Sequence, residues 1–205
     1  FSYTLREKDM NQQIEIEFKN LLTKDEFQRV KNHFQLKESD FIKQRNYYFD
    51  TPLFSLAKQK SALRIREKAN EFELTLKQPY NGDLLETNHP LSKDEAFAFI
   101  RFNRFPESAL KFRQLITSIQ VDPTNLTYLG ELVTNRTEMK YKNGLIALDH
   151  SQYLGIEDYE IEYEVQQKSI GYQTFLHLLS SLQIEKKATP NKIKRFFTEK
   201  QRQNL

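Results

Sequence analysis

Apolar and polar residues alternate strictly from Gln13 to Lys19 (QIEIEFK). An extended strand there sets Ile14, Ile16 and Phe18 on one face and Glu15, Glu17 and Lys19 on the other. The same period of two returns in Ser61 to Lys68 (SALRIREK), where Leu63 and Ile65 oppose Arg64, Arg66 and Lys68. After a turn near Ala69-Asn70 it continues in EFELTLKQP, with Phe72, Leu74 and Leu76 against Glu73, Thr75 and Lys77, so the two stretches read as a hairpin. Tyr159 to Val165 (YEIEYEV) repeats the opening pattern with Glu160, Glu162 and Glu164. An aromatic-rich strand over 40–50 stops at Thr51-Pro52, followed by a short helix or loop from Phe54 to Lys60. Asn81-Gly82 marks a turn before a short strand from Asp83 to His89 that ends at Pro90. Leu126 to Lys142 reads as a long strand with a bulge or break near Gly130, carrying Arg136, Glu138 and Lys140 on one face. Asn143-Gly144 predicts a two-residue hairpin loop that returns through Leu145 to Asp149.

Between these strands the apolar spacing changes to that of helices. Thr23-Lys24-Asp25-Glu26 and Ser92-Lys93-Asp94-Glu95 both have the form of a capping box, opening helices to about Phe34 and Phe102. Pro106-Glu107 opens another to about Ile119, Gly171 to Leu182 is amphipathic, and Asn191 to Gln203 is a basic helix with Lys192, Lys194 and Arg195.

If the helices cover the apolar strand faces, the charged faces meet either water or one another. An open sheet leaves them solvated, whereas closure into a barrel with helices outside makes them line its interior. Confined carboxylates and cations are tolerable only when paired or bound to ions. The hairpin sets two cationic strand faces side by side, which requires something anionic between them. A polyanion carrying a divalent metal satisfies both rows, because carboxylates take Mg²⁺ or Mn²⁺ and Arg and Lys take phosphate oxygens.

Composition narrows the picture. With 5 Gly, 6 Pro and 13% aromatic residues among 205, the chain reads as one compact domain over 10–205, with 1–9 as an upstream extension. The absence of cysteine excludes disulfides and thiolate metal sites. A net charge of +3, from 31 basic and 28 acidic residues, does not point to nucleic acid. No apolar run spans a bilayer and no signal-peptide segment stands near Phe1, so the expectation is a cytoplasmic protein without a membrane partner; a monomer or homodimer without nucleic-acid partners is expected. His33, His89, His150 and His177 have no metal-ligand spacing.

Glu15-x-Glu17-x-Lys19 matches the ExExK signature of the CYTH family, the triphosphate tunnel metalloenzymes, and the resemblance runs from Met10 to the end of the chain. Leu63-Arg64-Ile65-Arg66 resembles the family's LRIR strand, Leu74-Thr75-Leu76-Lys77 its LTLK strand and Arg136 its central arginine. Leu148-Asp149, Glu160-Ile161-Glu162 and Lys192-x-x-Arg195 are similar to its LD pair, late ExE strand and C-terminal basic pair. The resemblance implies an α+β fold, mainly antiparallel, built on an eight-stranded closed β-barrel or tunnel with helices packed outside. It implies hydrolysis of a triphosphate with Mg²⁺ or Mn²⁺, and FDTP with NKIKRFF is similar to the small bacterial triphosphatase type. By the same resemblance Glu15, Glu17 and Glu162 are catalytic, and Glu15, Glu17, Asp149, Glu160 and Glu162 hold metal. Lys19, Arg64, Arg66, Lys77, Arg136, Lys192 and Arg195 hold the small-molecule triphosphate. The rival readings are an adenylate cyclase, which needs a nucleobase pocket, and a non-catalytic polyphosphate- or nucleotide-binding module.

Overall fold

A computed structural model describes residues 10–203. Its strands are β1 (Asn11–Leu22), β2 (Ile42–Asp50), β3 (Ala62–Lys68), β4 (Glu71–Tyr80), β5 (Asp83–Leu91), β6 (Thr127–Tyr141), β7 (Gly144–Tyr153) and β8 (Ile156–Val165). They hydrogen-bond in the order β1-β5-β4-β3-β2-β6-β7-β8 and close into an antiparallel barrel, the expected fold class. The helices are α1 (Lys24–His33), α2 (Ser55–Lys58), α3 (Lys93–Phe102), α4 (Leu110–Ser118), α5 (Lys168–Ser181) and α6 (Lys192–Arg202). The anticipated extension over 1–9 lies outside the described residues.

The chain divides into two compact units, one of residues up to Ile14 with Asn46–Glu131, the other of Glu15–Arg45 with the chain from Leu132 onward. Each has its own core. In the first unit Leu63, Ile65, Leu74 and Leu76 are fully buried against Phe99 of α3 and Phe112 and Ile116 of α4. In the second, Ile146, Leu148, Ile161 and Tyr163 meet Phe27 and Val30 of α1 and Phe175, Leu178 and Leu179 of α5. Burying each such side chain stabilises by about 1.5–3 kcal/mol, so the helices fix which face of each strand is apolar. Both capping boxes form: Thr23 Oγ1 accepts from the Glu26 amide at 3.1 Å while Glu26 accepts from the Thr23 amide at 2.7 Å, and Ser92 with Glu95 repeats the exchange.

Several local expectations change. The predicted Asn143-Gly144 loop shifts by one residue: Tyr141 pairs with Gly144, so Lys142 and Asn143 form the loop and Lys142 takes a positive φ of 48°. Gly144 belongs to β7, and its glycine answers to crowding. A Cβ there would stand 2.5 Å from the Glu164 carbonyl oxygen and 2.6 Å from the Tyr163 ring. Strand β6 runs through Gly130 without breaking, at a φ of 146° that favours glycine. Strand β5 passes Pro90 and ends at Leu91, because a proline one residue from the strand end removes little from the ladder. The helix expected from Pro106 begins as a 3₁₀ turn over Glu107–Ala109 and becomes helical at Leu110.

The crowding at Gly144 yields a test. Gly144→Ala should cost about 1–3 kcal/mol in urea unfolding, since strand and ring must both yield; an unchanged midpoint would contradict the close packing.

Candidate functional site

In the second unit the strand register gathers predicted residues into rows. Arg136 of β6 faces Asp149 of β7, which faces Glu160 of β8. One step along, Glu138 faces Ala147, Ala147 faces Glu162, and Glu162 faces Lys19 of β1. Directly paired residues share a sheet face, so these charges project together, and the small Ala147 leaves them room. Glu15 and Glu17 lie on the same side of β1 as Lys19, with Glu17 facing Glu164.

Helix α6 brings two more cations. Asn191 caps it by accepting from the Lys194 amide at 2.9 Å. Lys192 Nζ then lies 2.7 Å from Asp149, 2.5 Å from Glu162 and 3.2 Å from Glu160. Arg136 donates to both Asp149 oxygens, at 2.7 and 2.6 Å, and to Glu162 at 2.5 Å. Arg195 pairs with Glu160 and with Asp158, and Lys19 pairs with Glu17.

Burial and pairing pull against each other here. Burial pushes the Asp149 carboxyl up, but Arg136 and Lys192 bring it below its ordinary value. Glu162 is likewise held well below the carboxylate range against its burial, by Arg136, Lys192 and Lys19. Glu160 is the exception: burial, aided by the neighbouring Glu162 charge, outweighs Lys192 and Arg195 and pushes it up to about 7. Its Oε1 is buried without a well-aligned hydrogen bond and has the Lys192 ammonium 3.2 Å away. Burial lowers the affinity of Lys192 and Arg195 for their protons, but the carboxylates around each hold it charged, with pKa raised.

The first unit collects Arg64, Arg66 and Lys77. The anion expected between the cationic strand faces is supplied in part by the register itself, which sets Arg64 against Thr75, Arg66 against Glu73, and Lys77 between Ala62 and Glu86. The anion is the protein's own. Glu86 lies 3.0 Å from Lys77 and 3.9 Å from Arg64, and Asn88 donates to it at 2.8 Å while accepting from Thr75 at 2.7 Å. Arg66 donates to Asn46 at 3.3 Å, and Arg64 Nε is buried without a hydrogen bond. Sequence reading missed Glu86 and Asp158. The available signals were the i, i+2 pair Glu86-x-Asn88 and the extension of the acidic row back to Asp158.

Whether a divalent ion suits the second unit can be judged from its donors. Buried carboxylate oxygens, among them the Glu160 Oε1 that has only the Lys192 ammonium at 3.2 Å, are the donor type that hard divalent cations take. In the present pairing Lys192 and Arg136 occupy them, and among the described residues no three His, Cys, Asp or Glu side chains are grouped as metal ligands. The set fits such an ion in chemistry, provided Lys192 yields its place.

Comparison with known proteins agrees with this geometry. The CYTH domain family profile matches residues 13–197. A Bacillus subtilis (strain 168) protein named "Putative triphosphatase YjbK" is 45% identical over 193 residues, 94% of this chain and 99% of that protein. A Bacillus halodurans crystal structure, named as a "putative adenylate cyclase", is 44% identical with a TM-score of 0.86, covering 91% of this chain and 98% of its own. The Hippeastrum protein HpAC1 shares the fold at a TM-score of 0.74 and 23% identity, covering 90% of this chain and 95% of its own.

The Glu86 cluster has a pH signature. Burial alone raises the Glu86 carboxyl, but Lys77, Arg64 and Asn88 bring it down from 4.5 to about 2. A depressed carboxylate contributes stability that is complete above its unfolded value and lost as pH falls toward its folded one. Unfolding free energy followed from pH 5 to 2 should therefore fall less in Glu86→Gln than in the parent; identical slopes would contradict the cluster.

Proposed function

The chain belongs to the CYTH domain family, and from that premise we propose that it is a triphosphatase acting on tripolyphosphate or an organic or nucleoside triphosphate. The single observation that carries this reading is the buried cluster of Asp149, Glu160 and Glu162 with Arg136 and Lys192. Its cations are mostly withdrawn from water and held in place by the carboxylates, which is what a phosphate chain needs from a protein. Membership of the family implies a divalent metal, and we take it to be Mg²⁺ or Mn²⁺ held by Glu15, Glu17, Asp149, Glu160 and Glu162. Bound there, the ion supplies charge neutralisation at the phosphoryl oxygens.

In this reading Lys19, Arg136 and Lys192 bind and orient phosphate oxygens, and the resemblance gives Arg64, Arg66 and Lys77 the same role. The resemblance gives Arg195 the same role, although its contacts are with Asp158, Glu160 and Pro190. Glu15, Glu17 and Glu162 orient the attacking water. That water attacks the terminal phosphorus in line, a new P–O bond forming as the bond to the bridging oxygen breaks, and Lys and Arg stabilise the charge on the departing diphosphate. Among the described residues no helix is long and apolar enough to cross a membrane, and we assign the activity to the cytoplasm.

The name borne by the Bacillus halodurans structure keeps cyclisation of ATP as a second reading. Phosphate release from tripolyphosphate and ATP with Mg²⁺ or Mn²⁺ tests the proposal. Glu17→Gln, Glu162→Gln and Arg66→Ala should each lose about 10²-fold or more in kcat/KM. Cyclic AMP as the main product from ATP would transfer the chain to the second reading, and full activity in all three variants would remove the site assignment.

A further inference from the structure

All three guanidinium nitrogens of Arg195 are taken up by protein acceptors. Its Nε donates to Asp158 Oδ2 at 2.9 Å, its Nη2 to Asp158 Oδ1 at 3.3 Å and to Glu160, and its Nη1 to the Pro190 carbonyl at 2.5 Å. Only 9% of the side chain is exposed. A bidentate fork of this kind fixes a planar guanidinium in position as well as in charge.

Asp158 is the other half of the fork and has no part in the chemistry described above. It precedes Glu160 by two residues on β8, so both carboxylates stand on one face. Tyr153, 6% exposed, donates its hydroxyl to Asp158 Oδ2 at 2.8 Å. The Tyr153 ring in turn lies 6.2 Å, centroid to centroid, from the ring of Phe196, the fully buried neighbour of Arg195 on α6. One aromatic residue therefore supports both the acid that holds Arg195 and the helix that carries it. Lys192, one turn earlier on α6, reaches Asp149, Glu160 and Glu162 from the same helix.

Resting on the triphosphatase reading, we propose that Asp158 is a positioning residue for that reaction: braced by Tyr153 and acting through Arg195, it sets the Glu160 carboxylate and the first turn of α6. Because the Arg195 nitrogens are spent on Asp158, Glu160 and the Pro190 carbonyl, a residue acting through Arg195 changes how well the site is arranged for the reaction more than how strongly the phosphate chain is held. Its effect must also pass through Arg195.

Steady-state kinetics on tripolyphosphate tests this with Asp158→Asn, Tyr153→Phe, Arg195→Ala and the double variant Asp158→Asn/Arg195→Ala. Asp158→Asn should lower kcat about tenfold with KM within about twofold, the scale expected when a supporting partner rather than a ligand is lost. Tyr153→Phe should move kcat the same way by less. In the Arg195→Ala background, Asp158→Asn should add less than about twofold, as expected of residues acting in series. Circular dichroism establishes that each variant is folded; Asp158→Glu, which keeps the charge, should recover part of the loss, and should Asp158→Asn prove too unstable to assay, a fall in kcat at constant KM in Tyr153→Phe carries the test. An equal tenfold loss from Asp158→Asn with and without Arg195, a rise in KM at unchanged kcat, or no recovery by Asp158→Glu overturns the assignment while leaving the triphosphatase reading intact. A parent protein inactive on every triphosphate takes down the reading and the assignment together.

Discussion

Desolvated charge is the constraint on which this structure depends. A carboxylate removed from water is costly unless a cation and hydrogen bonds replace the solvent. The second unit meets this by bringing cations to Asp149, Glu160 and Glu162 from β6 and from α6. The first meets it with Glu86 set between Lys77 and Arg64. Each unit is thus an arrangement of mutual counterions, and the apolar cores under the helices hold the strands in the register that makes the pairing possible.

Such pairing is a poor source of stability and a good source of readiness. Buried ion pairs roughly balance desolvation against attraction, so their retention is better explained by what they can exchange. In the proposed reading the carboxylates held by Lys192 would take the metal ion instead, and the ammonium so released would hold a phosphate oxygen. The proposed reaction requires no group beyond those, since phosphoryl transfer is mostly positioning and charge compensation.

Much of this was legible in the amino-acid order because strand alternation is a strong signal. Ile16, Leu63, Leu74 and Ile161 announced the apolar faces, and the capping boxes at Thr23 and Ser92 announced two helices at the observed residues. What was less legible depended on pairing partners that lie far away in sequence. The Lys142-Asn143 loop could not be seen without knowing that the Tyr163 ring closes over Gly144. Glu86 was missed because its meaning comes from Lys77 and Arg64 on neighbouring strands, and the segment around it alternates weakly. Asp158 was hidden by its stronger neighbours Glu160 and Glu162, and only the fork from Arg195 distinguishes it.

The claim that the charges of the second unit are counterions for one another is tested most directly by a double-mutant cycle in urea unfolding between Lys192 and Glu162 of the metal-free protein. Lys192→Met and Glu162→Gln should each destabilise by about 3–5 kcal/mol, as expected when one member of a buried pair is removed. Together they should cost far less than the sum. Strictly additive losses would show that the two side chains do not neutralise each other, and the account of the site built on that pairing would be wrong.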